Sequence, residues 1–361
     1  MKKSLKVNKC LWIISALLAI VVACFLIIPR DGHDFEADGI YYKIECDSLN
    51  IVSVTYKGDS YKAYADEYVG AVVIPENITY KGINYIVEYI DDGAFKDCSK
   101  MTSITIPPSV RMFGHGAFSG CDGLKEIHIR DLSAWCELLL CDVLDAIGES
   151  LFCYADDLYL NGELLTDLVV PEDVEEIYAH SFEGYDKLRS VVFHKDIVYI
   201  HKSAFFFCSN LTDVTFEGDV EYIGPYTFED TPWYENQPDG EVYIGKLLYK
   251  YKGDMPSNTS IVIKDGTELI CKSAFNNCKG LTSITFPSSL EAIHNEAFTC
   301  CDNLKEIYFK ASTPPYINGY HHDFHKDVVI YVPKGTREAY REASRLFENV
   351  VEIDFSNKNL K

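Results

Sequence analysis

Basic side chains are scarce in this chain of 361 residues, where 33 lysines and arginines stand against 55 aspartates and glutamates and give a formal net charge of −22. A surface of this sign repels phosphate backbones, so nucleic acid is excluded as an expected partner. The G-x-S-x-G, G-x-x-x-x-G-K-[ST] and H-E-x-x-H patterns are absent, as is the glycine pattern of dinucleotide-binding folds. These absences predict a protein that is not an enzyme and that needs no cofactor.

Paired cysteines at C-x-x-C spacing are also absent, although the chain has 13 cysteines. Their absence argues against a structural zinc site and against thioredoxin-type chemistry. Hydrophobic residues make up 47% of the chain and aromatic residues 13%. This is enough apolar surface to bury a core, so a folded protein is expected.

A long apolar run occurs at the N-terminus, where four lysines precede 19 uncharged residues from Cys10 to Ile28. At about 1.5 Å per residue this run spans roughly 28 Å, close to the ~30 Å of a bilayer core. The basic flank favours the cytoplasmic side, so the body after residue 30 is expected to face outward. The sequence therefore predicts a membrane-anchored, extracytoplasmic protein of a bacterium, at the cell surface or in the periplasm.

Three fates of this segment remain open: an uncleaved signal anchor, a lipoprotein signal and a simple cleaved signal. The sequence Val21-Val22-Ala23-Cys24 resembles a lipobox, in which Cys24 would be lipidated after cleavage. The apolar run continues after Cys24, which favours the uncleaved anchor. All three place the body outside the cytoplasm.

A repeat unit of 23 residues dominates the rest of the chain, with the pattern I-x-x-x-[AST]-F-x-x-C-x-x-L-x-x-I-x-I. Four of the gaps between successive repeat phenylalanines are 23 residues, and the other two are 64 and 47. The phenylalanines, predicted to form the core, are Phe95, Phe118, Phe182, Phe205, Phe228, Phe275 and Phe298. Five residues before them stand Ile90, Phe113, Ile177, Ile200, Ile223, Ile270 and Ile293.

The apolar-x-apolar step that ends each unit is typical of a short strand. A single unit cannot bury its own apolar edge, so neighbouring units must stack and pair these strands. We expect a repeat solenoid: a leucine-rich-repeat-like, right-handed stack of units of about 23 residues with a parallel β-ladder. A β-rich N-terminal cap and a small C-terminal αβ cap are expected to close it.

Four segments follow from this pattern. Residues 1–30 form the signal anchor or lipoprotein signal, and residues 31–88 form the β-rich N-terminal cap. Residues 89–331 carry the repeats, with inserts at about 131–165 and 231–258 that are interpreted as decorated turns. Residues 332–361 form the C-terminal cap. The first insert is expected to be helical to about Ala155, the second to contain a hairpin around Val242–Tyr251, and the cap to contain a helix from about Thr336 to Leu346.

The unit resembles the BspA-type leucine-rich repeat of bacterial surface proteins, with its best matches at Ala94–Pro107 and Ala274–Pro287. The resemblance extends over about residues 35–350 and implies an exported solenoid of parallel strands that is used for adhesion. Tyr185 and Thr231 depart from the family pattern, because each replaces the recurring cysteine.

The recurring cysteines Cys98, Cys121, Cys208, Cys278 and Cys301 are predicted to form a buried ladder of reduced thiols. Stacking would also bring Cys98 near Cys121, and Cys278 near Cys301, within the range of a disulfide. A bridge among Cys136, Cys141 and Cys153 in the first insert is a further alternative. His321 and His325, four residues apart, form a metal-like cluster, but the flanking proline and glycine favour an exposed loop, so no metal site is predicted.

The favoured hypothesis is a binding or adhesion module for protein or glycan partners, which include envelope or extracellular proteins and host matrix proteins. The outward residues of the repeat strands are the predicted contacts: Thr105, His128, Val192, Thr215, Thr285 and Tyr308. This row is mostly small and polar and lacks a clustered aromatic anchor. Trp135 in the first insert is either an alternative exposed anchor or part of the insert's own core. A structural envelope scaffold without a soluble ligand, and an enzyme with its site in the inserts, are the other hypotheses.

Overall fold

The computed structural model describes residues 32–58, 60, 65–140, 150–317, 327–343, 347 and 349–356. The chain divides into two compact units, Met1–Leu164 and Leu165–Lys361. Both units are built from short strands, most of them in parallel pairs, with few helices. This is the architecture of a β-solenoid, as the repeat predicts.

Twelve strands make up unit 1 together with one helix, α1 (Leu132–Cys136), and a 3-10 turn at Leu151–Cys153. The strands are β1 (Phe35–Ala37), β2 (Ile40–Cys46), β3 (Ile51–Thr55), β4 (Gly70–Val73), β5 (Asn77–Tyr80), β6 (Ile83–Ile90), β7 (Met101–Thr105), β8 (Met112–Phe113), β9 (Glu126–Ile129), β10 (Leu139–Leu140), β11 (Asp157–Leu160) and β12 (Glu163–Leu164).

These strands form two sheets. The first has the order β1-β2-β3-β6-β8-β10, with β5 also paired to β6. The β1-β2, β2-β3 and β5-β6 pairs are antiparallel, and the other pairs are parallel. The second has the order β12-β11-β9-β7-β4 and is parallel except for the terminal β11-β12 hairpin. The first strands of unit 1 therefore pair as hairpins, and the later strands stack in parallel. We call each of these stacked parallel strands a rung.

Sixteen strands and two helices, α2 (Pro232–Glu235) and α3 (Arg337–Ala343), make up unit 2. The strands are β13 (Asp167–Val169), β14 (Glu176–Ile177), β15 (Ser190–Phe193), β16 (Tyr199–Ile200), β17 (Asp213–Phe216), β18 (Tyr222–Ile223), β19 (Gly240–Ile244), β20 (Leu247–Lys252), β21 (Thr259–Val262), β22 (Leu269–Ile270), β23 (Leu281–Phe286), β24 (Ala292–Ile293), β25 (Glu306–Phe309), β26 (Tyr316–Ile317), β27 (Val329–Pro333) and β28 (Val350–Ile353).

Four sheets result in unit 2, with the orders β13-β15-β17, β14-β16-β18, β19-β20-β22-β24-β26 and β21-β23-β25-β27-β28. All pairs are parallel except the β19-β20 hairpin. Each regular turn, such as β15 with β16 or β23 with β24, thus places one strand in each of two ladders. The apolar-x-apolar step forms the longer ladder, and the isoleucine before each phenylalanine forms a second ladder of two-residue strands.

The second ladder is not foreseen by the sequence, which predicts one ladder only. Ile177, Ile200 and Ile223 illustrate it, because each lies directly opposite the next in the register of β14, β16 and β18. A strand of two residues is too short to show a period-two pattern.

The first insert contains less α-helix among its described residues than the sequence predicts. The described α-helix of the insert spans Leu132–Cys136 and is capped by Asp131, whose carboxylate accepts a hydrogen bond from the Ala134 amide at 3.0 Å. The insert also supplies solenoid strands, because β10 pairs with β8 and β11 pairs with β9. The insert is therefore a turn of the solenoid with long connections. Residues 141–149 lie outside the described part.

The second insert contains the expected hairpin, β19-β20, and β20 pairs on its other side with β22. The C-terminal helix is described over Arg337–Ala343, and the predicted continuation to Leu346 lies outside the described residues. Beyond it, β28 adds a strand that the sequence does not predict. The Glu352 carboxylate of this strand accepts hydrogen bonds from the amides of Gly335 and Arg337, both at 3.0 Å, at the start of α3.

The repeat phenylalanines are all buried, with exposed fractions of 5% or less. Within unit 1 the rings of Phe95 and Phe118 stack at 5.2 Å between centroids. Within unit 2 the Phe205 ring lies 5.3 Å from Phe182 and 5.6 Å from Phe228, nearly parallel to both. These distances follow from the ~4.8 Å spacing of neighbouring strands.

The repeat cysteines are buried and carry free thiols. The Cys121, Cys208 and Cys301 thiols donate to backbone carbonyl oxygens one turn earlier, at 3.0 Å in each case. Burial raises the pKa of Cys121 and of Cys301 to about 12, so both thiols keep the proton that they donate. Three of the five recurring cysteines are thus hydrogen-bond donors between turns, and the alternative disulfides between repeat cysteines are not formed in this structure.

Candidate binding face

The predicted contact residues lie on the longer ladder of each unit. Thr105 is directly opposite His128 in unit 1, Val192 is opposite Thr215 in unit 2, and Thr285 is opposite Tyr308 in unit 2. Thr215 is exposed and the other five are half-buried, while the flanking residues of most of these strands are buried. We call this solvent-facing side of the longer ladder the strand face.

An aromatic pair lies on the strand face of unit 1. The His128 ring stacks on the Tyr159 ring of the next rung, with centroids 4.9 Å apart and planes 13° from parallel. His128 Nε2 lies 3.0 Å from a carboxylate oxygen of Glu126, two residues earlier on the same strand. Burial and the carboxylates of Asp157 and Glu126 raise the pKa of Tyr159. The pair therefore combines flat rings with adjacent negative charge.

A second aromatic pair lies on the strand face of unit 2. Tyr308 and Tyr331 stack with centroids 4.5 Å apart and planes 11° from parallel. Both hydroxyls donate to the Glu306 carboxylate, at 3.1 Å from Tyr308 and 3.4 Å from Tyr331. Burial, followed by this hydrogen bond to Glu306, raises the pKa of Tyr308 to about 12. Both phenols therefore remain neutral donors near neutral pH.

The expectation that the strand face lacks an aromatic cluster is wrong, because Tyr159 and Tyr331 were left out of the predicted row. Tyr331 lies 23 residues after Tyr308, so the repeat period alone was a sufficient signal. Tyr159 lies 31 residues after His128, out of phase, and only the pairing of β11 with β9 reveals it.

A polar cleft accompanies the strand face at the start of unit 2. Its volume is about 400 Å³, and Thr166, Lys187, Arg189, Asn210 and Thr212 line it. Arg189 already donates to the Asp167 carboxylate at 2.6 Å, and Ser190 donates to the same carboxylate at 2.7 Å. Hydrogen bonds from Ser190, Thr166 and Arg189 hold the pKa of Asp167 at about 2. The cleft's charges are thus largely paired within the protein.

Trp135 does not provide an exposed anchor. It is buried, with 4% of its surface exposed, and its ring lies edge-on to Phe152 at 6.1 Å. The interpretation of Trp135 as a surface anchor is therefore wrong, because the residue packs into the insert's own core.

Several predicted sites lie outside the described residues, namely Cys24 and the N-terminal apolar run, Cys141, and the cluster around His321 and His325. Within the described ranges, no group of three or more histidine, cysteine, aspartate or glutamate side chains is arranged to hold a metal ion. Within the same ranges, none of the helices has the length and apolar character needed to cross a bilayer.

Comparison with known families assigns the repeat. The profile of the BspA type leucine rich repeat region matches residues 61–136, 142–238 and 243–358, with six copies. The chain belongs to this family. The BspA-type repeats therefore account for most of the described chain, including the inserts that depart from the 23-residue spacing. A search of curated proteins finds no match.

The similar solved structures are distant in sequence. A leucine-rich cell surface protein from Faecalibacterium prausnitzii is 19% identical to this chain, with a TM-score of 0.32. The match covers 91% of this chain and 96% of that protein's chain. A leucine-rich repeat protein from Bacteroides ovatus is 19% identical, with coverages of 89% and 100% and a TM-score of 0.30. The pneumococcal vaccine antigen PcpA is 13% identical, with coverages of 90% and 100% and a TM-score of 0.28.

Proposed function

We propose that this BspA-type repeat protein is a membrane-tethered, extracytoplasmic binding module that engages protein or glycan partners through the strand face. The partners are extracellular or envelope proteins, host matrix proteins, or glycans. The observation that carries the proposal is the strand face itself, on which successive rungs present solvent-facing side chains in register, including two stacked aromatic pairs. Aromatic side chains on a rigid scaffold are typical of binding hot spots.

Membrane tethering is supported by the N-terminal sequence. Four lysines followed by the 19 uncharged residues Cys10–Ile28 suit an anchor with its basic end in the cytoplasm. Cys24 is the candidate lipidation site if the segment is processed as a lipoprotein signal. In either form the repeats lie on the outer side of the membrane, where a surface repeat protein meets its partners.

A role as a binding scaffold accounts for the repeated strand face better than a role as an enzyme does. Repeat solenoids carry extended surfaces whose rungs can each contribute a few contacts, so affinity accumulates along the ladder. Two carboxylates close together can act as the acid and base of a glycosidase, and Asp91 and Asp92 are adjacent in sequence. However, the Asp92 carboxylate accepts a hydrogen bond from the His115 amide at 2.7 Å and so binds the backbone of the next turn.

The test is binding of the purified full-length chain, held in neutral detergent because of its apolar N-terminal run, to an array of matrix proteins, mucins and glycans. A saturable interaction in the micromolar range or tighter is the expected result. Failure to bind anything on the array at tens of micromolar, with folding verified by circular dichroism, would replace the proposal with a structural envelope scaffold. Surface biotinylation of intact cells tests the predicted location independently.

A further inference from the structure

The two aromatic pairs share one construction. In each unit a glutamate stands two residues before an aromatic residue on the same strand, and a second aromatic residue occupies the matching position on the next rung. The two sets are Glu126 and His128 with Tyr159, and Glu306 and Tyr308 with Tyr331. Because side chains two apart share one face of a strand, each carboxylate lies beside its ring pair.

Small side chains border the second pair. The neighbouring rungs place Thr285 opposite Tyr308 and Val351 opposite Tyr331, so small side chains border the ring pair on both sides. Val351 is exposed and Thr285 is half-buried. The outer faces of the two rings are therefore bordered by residues too small to cover a whole ring.

Charge complementarity selects the ligand. The Glu126 side chain is 45% exposed although it contacts His128, so its carboxylate remains open to a further donor. Glu306 accepts from two neutral phenols and carries no basic partner among the ion pairs of the described residues. Flat aromatic rings next to a carboxylate, on a chain with a net charge of −22, favour a cation over a neutral or acidic group.

We propose that the two pairs are receptor sites for arginine side chains of a basic partner protein. A guanidinium stacks on the outer face of a ring and donates to Glu126 or Glu306, which its planar fork suits better than the compact ammonium of lysine. This inference rests on the proposed binding function and narrows it, because it selects a basic protein surface over a neutral glycan.

The experiment measures binding of fluorescent peptides to the full-length chain by anisotropy. The probes are a capped peptide of six arginines alternating with glycine, its lysine counterpart and its glutamate counterpart. The variant with Glu126→Gln, Tyr159→Leu, Glu306→Gln and Tyr331→Leu removes the carboxylate and one ring of each pair and keeps an apolar side chain at each tyrosine position. A matched control, with Asp265→Asn and Asp302→Asn, removes the same number of negative charges at exposed positions in turns.

The arginine peptide is expected to bind several-fold more tightly than the lysine peptide, and the glutamate peptide not to bind. The four-site variant should weaken arginine binding about tenfold, and the control should change it less than twofold. Equal weakening by the variant and the control, or equal binding of arginine and lysine, would overturn the inference, because either would indicate diffuse electrostatic attraction. Melting curves must first show that each variant is folded.

The outcomes separate this inference from the proposed function. If the array yields a saturable partner but the arginine peptide does not bind, the binding function stands and the arginine sites are refuted. If neither the array nor the arginine peptide gives saturable binding, both are refuted.

Discussion

At the scale of single residues, the recurring cysteine position is defined by hydrogen bonding. Where cysteine is replaced, the substitute also donates to a carbonyl: the Tyr185 hydroxyl to Leu165 at 2.7 Å and the Thr231 hydroxyl to Phe228 at 2.6 Å. Both substitutes are fully buried. At five of the seven repeat positions a buried donor thus binds a backbone carbonyl within 3.0 Å, and a thiol, a phenol or a hydroxyl can each supply it.

Replacing Cys208 by alanine should destabilise unit 2 by about 1–2 kcal/mol, because the hydrogen bond to the Phe182 carbonyl is lost and a small cavity remains. The measurement is the free energy of unfolding in urea. Ser209→Ala, at the exposed neighbouring position, is the control and should change the stability by less than about 0.5 kcal/mol. Equal effects of the two changes would show that the thiol has no special role.

Asp91 in unit 1 is an unusual carboxyl group. Burial, followed by the charge of Glu45, raises its pKa to about 6, although Lys43 lies 3.9 Å away. Because the pKa in the folded state exceeds that of an unfolded aspartate, the folded state holds the proton more tightly. The resulting stabilisation is complete below about pH 4 and is lost as the pH rises through about 6.

Asp91→Asn should therefore stabilise the protein at neutral pH, since asparagine resembles the protonated aspartate and cannot ionise. The stability difference between the variant and the parent should grow from near zero at pH 4 to roughly 2–3 kcal/mol at pH 8. Urea titrations at several pH values measure it. A constant difference for Asp91→Asn would contradict the account of its environment.

At the scale of elements, the repeat phenylalanine rings stack into columns that connect neighbouring turns. Phe205 is fully buried between Phe182 and Phe228 and also meets the edge of Phe193 at 5.7 Å. Its loss would leave a cavity between rungs that the parallel ladders cannot close, because strand pairing fixes their spacing.

Phe205→Ala should accordingly cost about 3–5 kcal/mol of unfolding free energy. Phe207, two residues later, provides a matched control because its ring is 53% exposed. Phe207→Ala should change the stability by less than about 0.5 kcal/mol. Similar losses for both variants, measured as shifts of the urea midpoint, would exclude the column as the main source of the stability of these turns.

The 23-residue period predicts the solenoid and its longer ladder because each regular turn repeats the same apolar positions. It cannot predict the rung in the first insert, since Leu158 lies 31 residues after Ile127 and no repeat phenylalanine precedes it at the usual distance. That rung forms because β11 pairs with β9, which is a contact between segments distant in sequence. The period also gives the predicted row of the strand face, but the stacking of His128 on Tyr159 depends on the same out-of-phase rung.

At the scale of the whole molecule, a strongly acidic chain carries BspA-type repeats in both of its units. The strand face of each unit holds one aromatic pair beside a glutamate, so each unit has its own candidate contact. Weak contacts that are repeated along one chain gain strength when a partner engages more than one of them. The central claim is that partners bind to the strand face and not to the turns at its edges.

The most direct test compares the dissociation constants of four arginine variants for a partner identified on the array. Thr215→Arg and Tyr308→Arg place a bulky cation on the strand face, while Ser209→Arg and Asn276→Arg place it on exposed turns. We predict that the first two weaken binding at least tenfold and that the turn variants change it less than twofold. The account would be contradicted if the turn variants weakened partner binding while the strand-face variants left it unchanged.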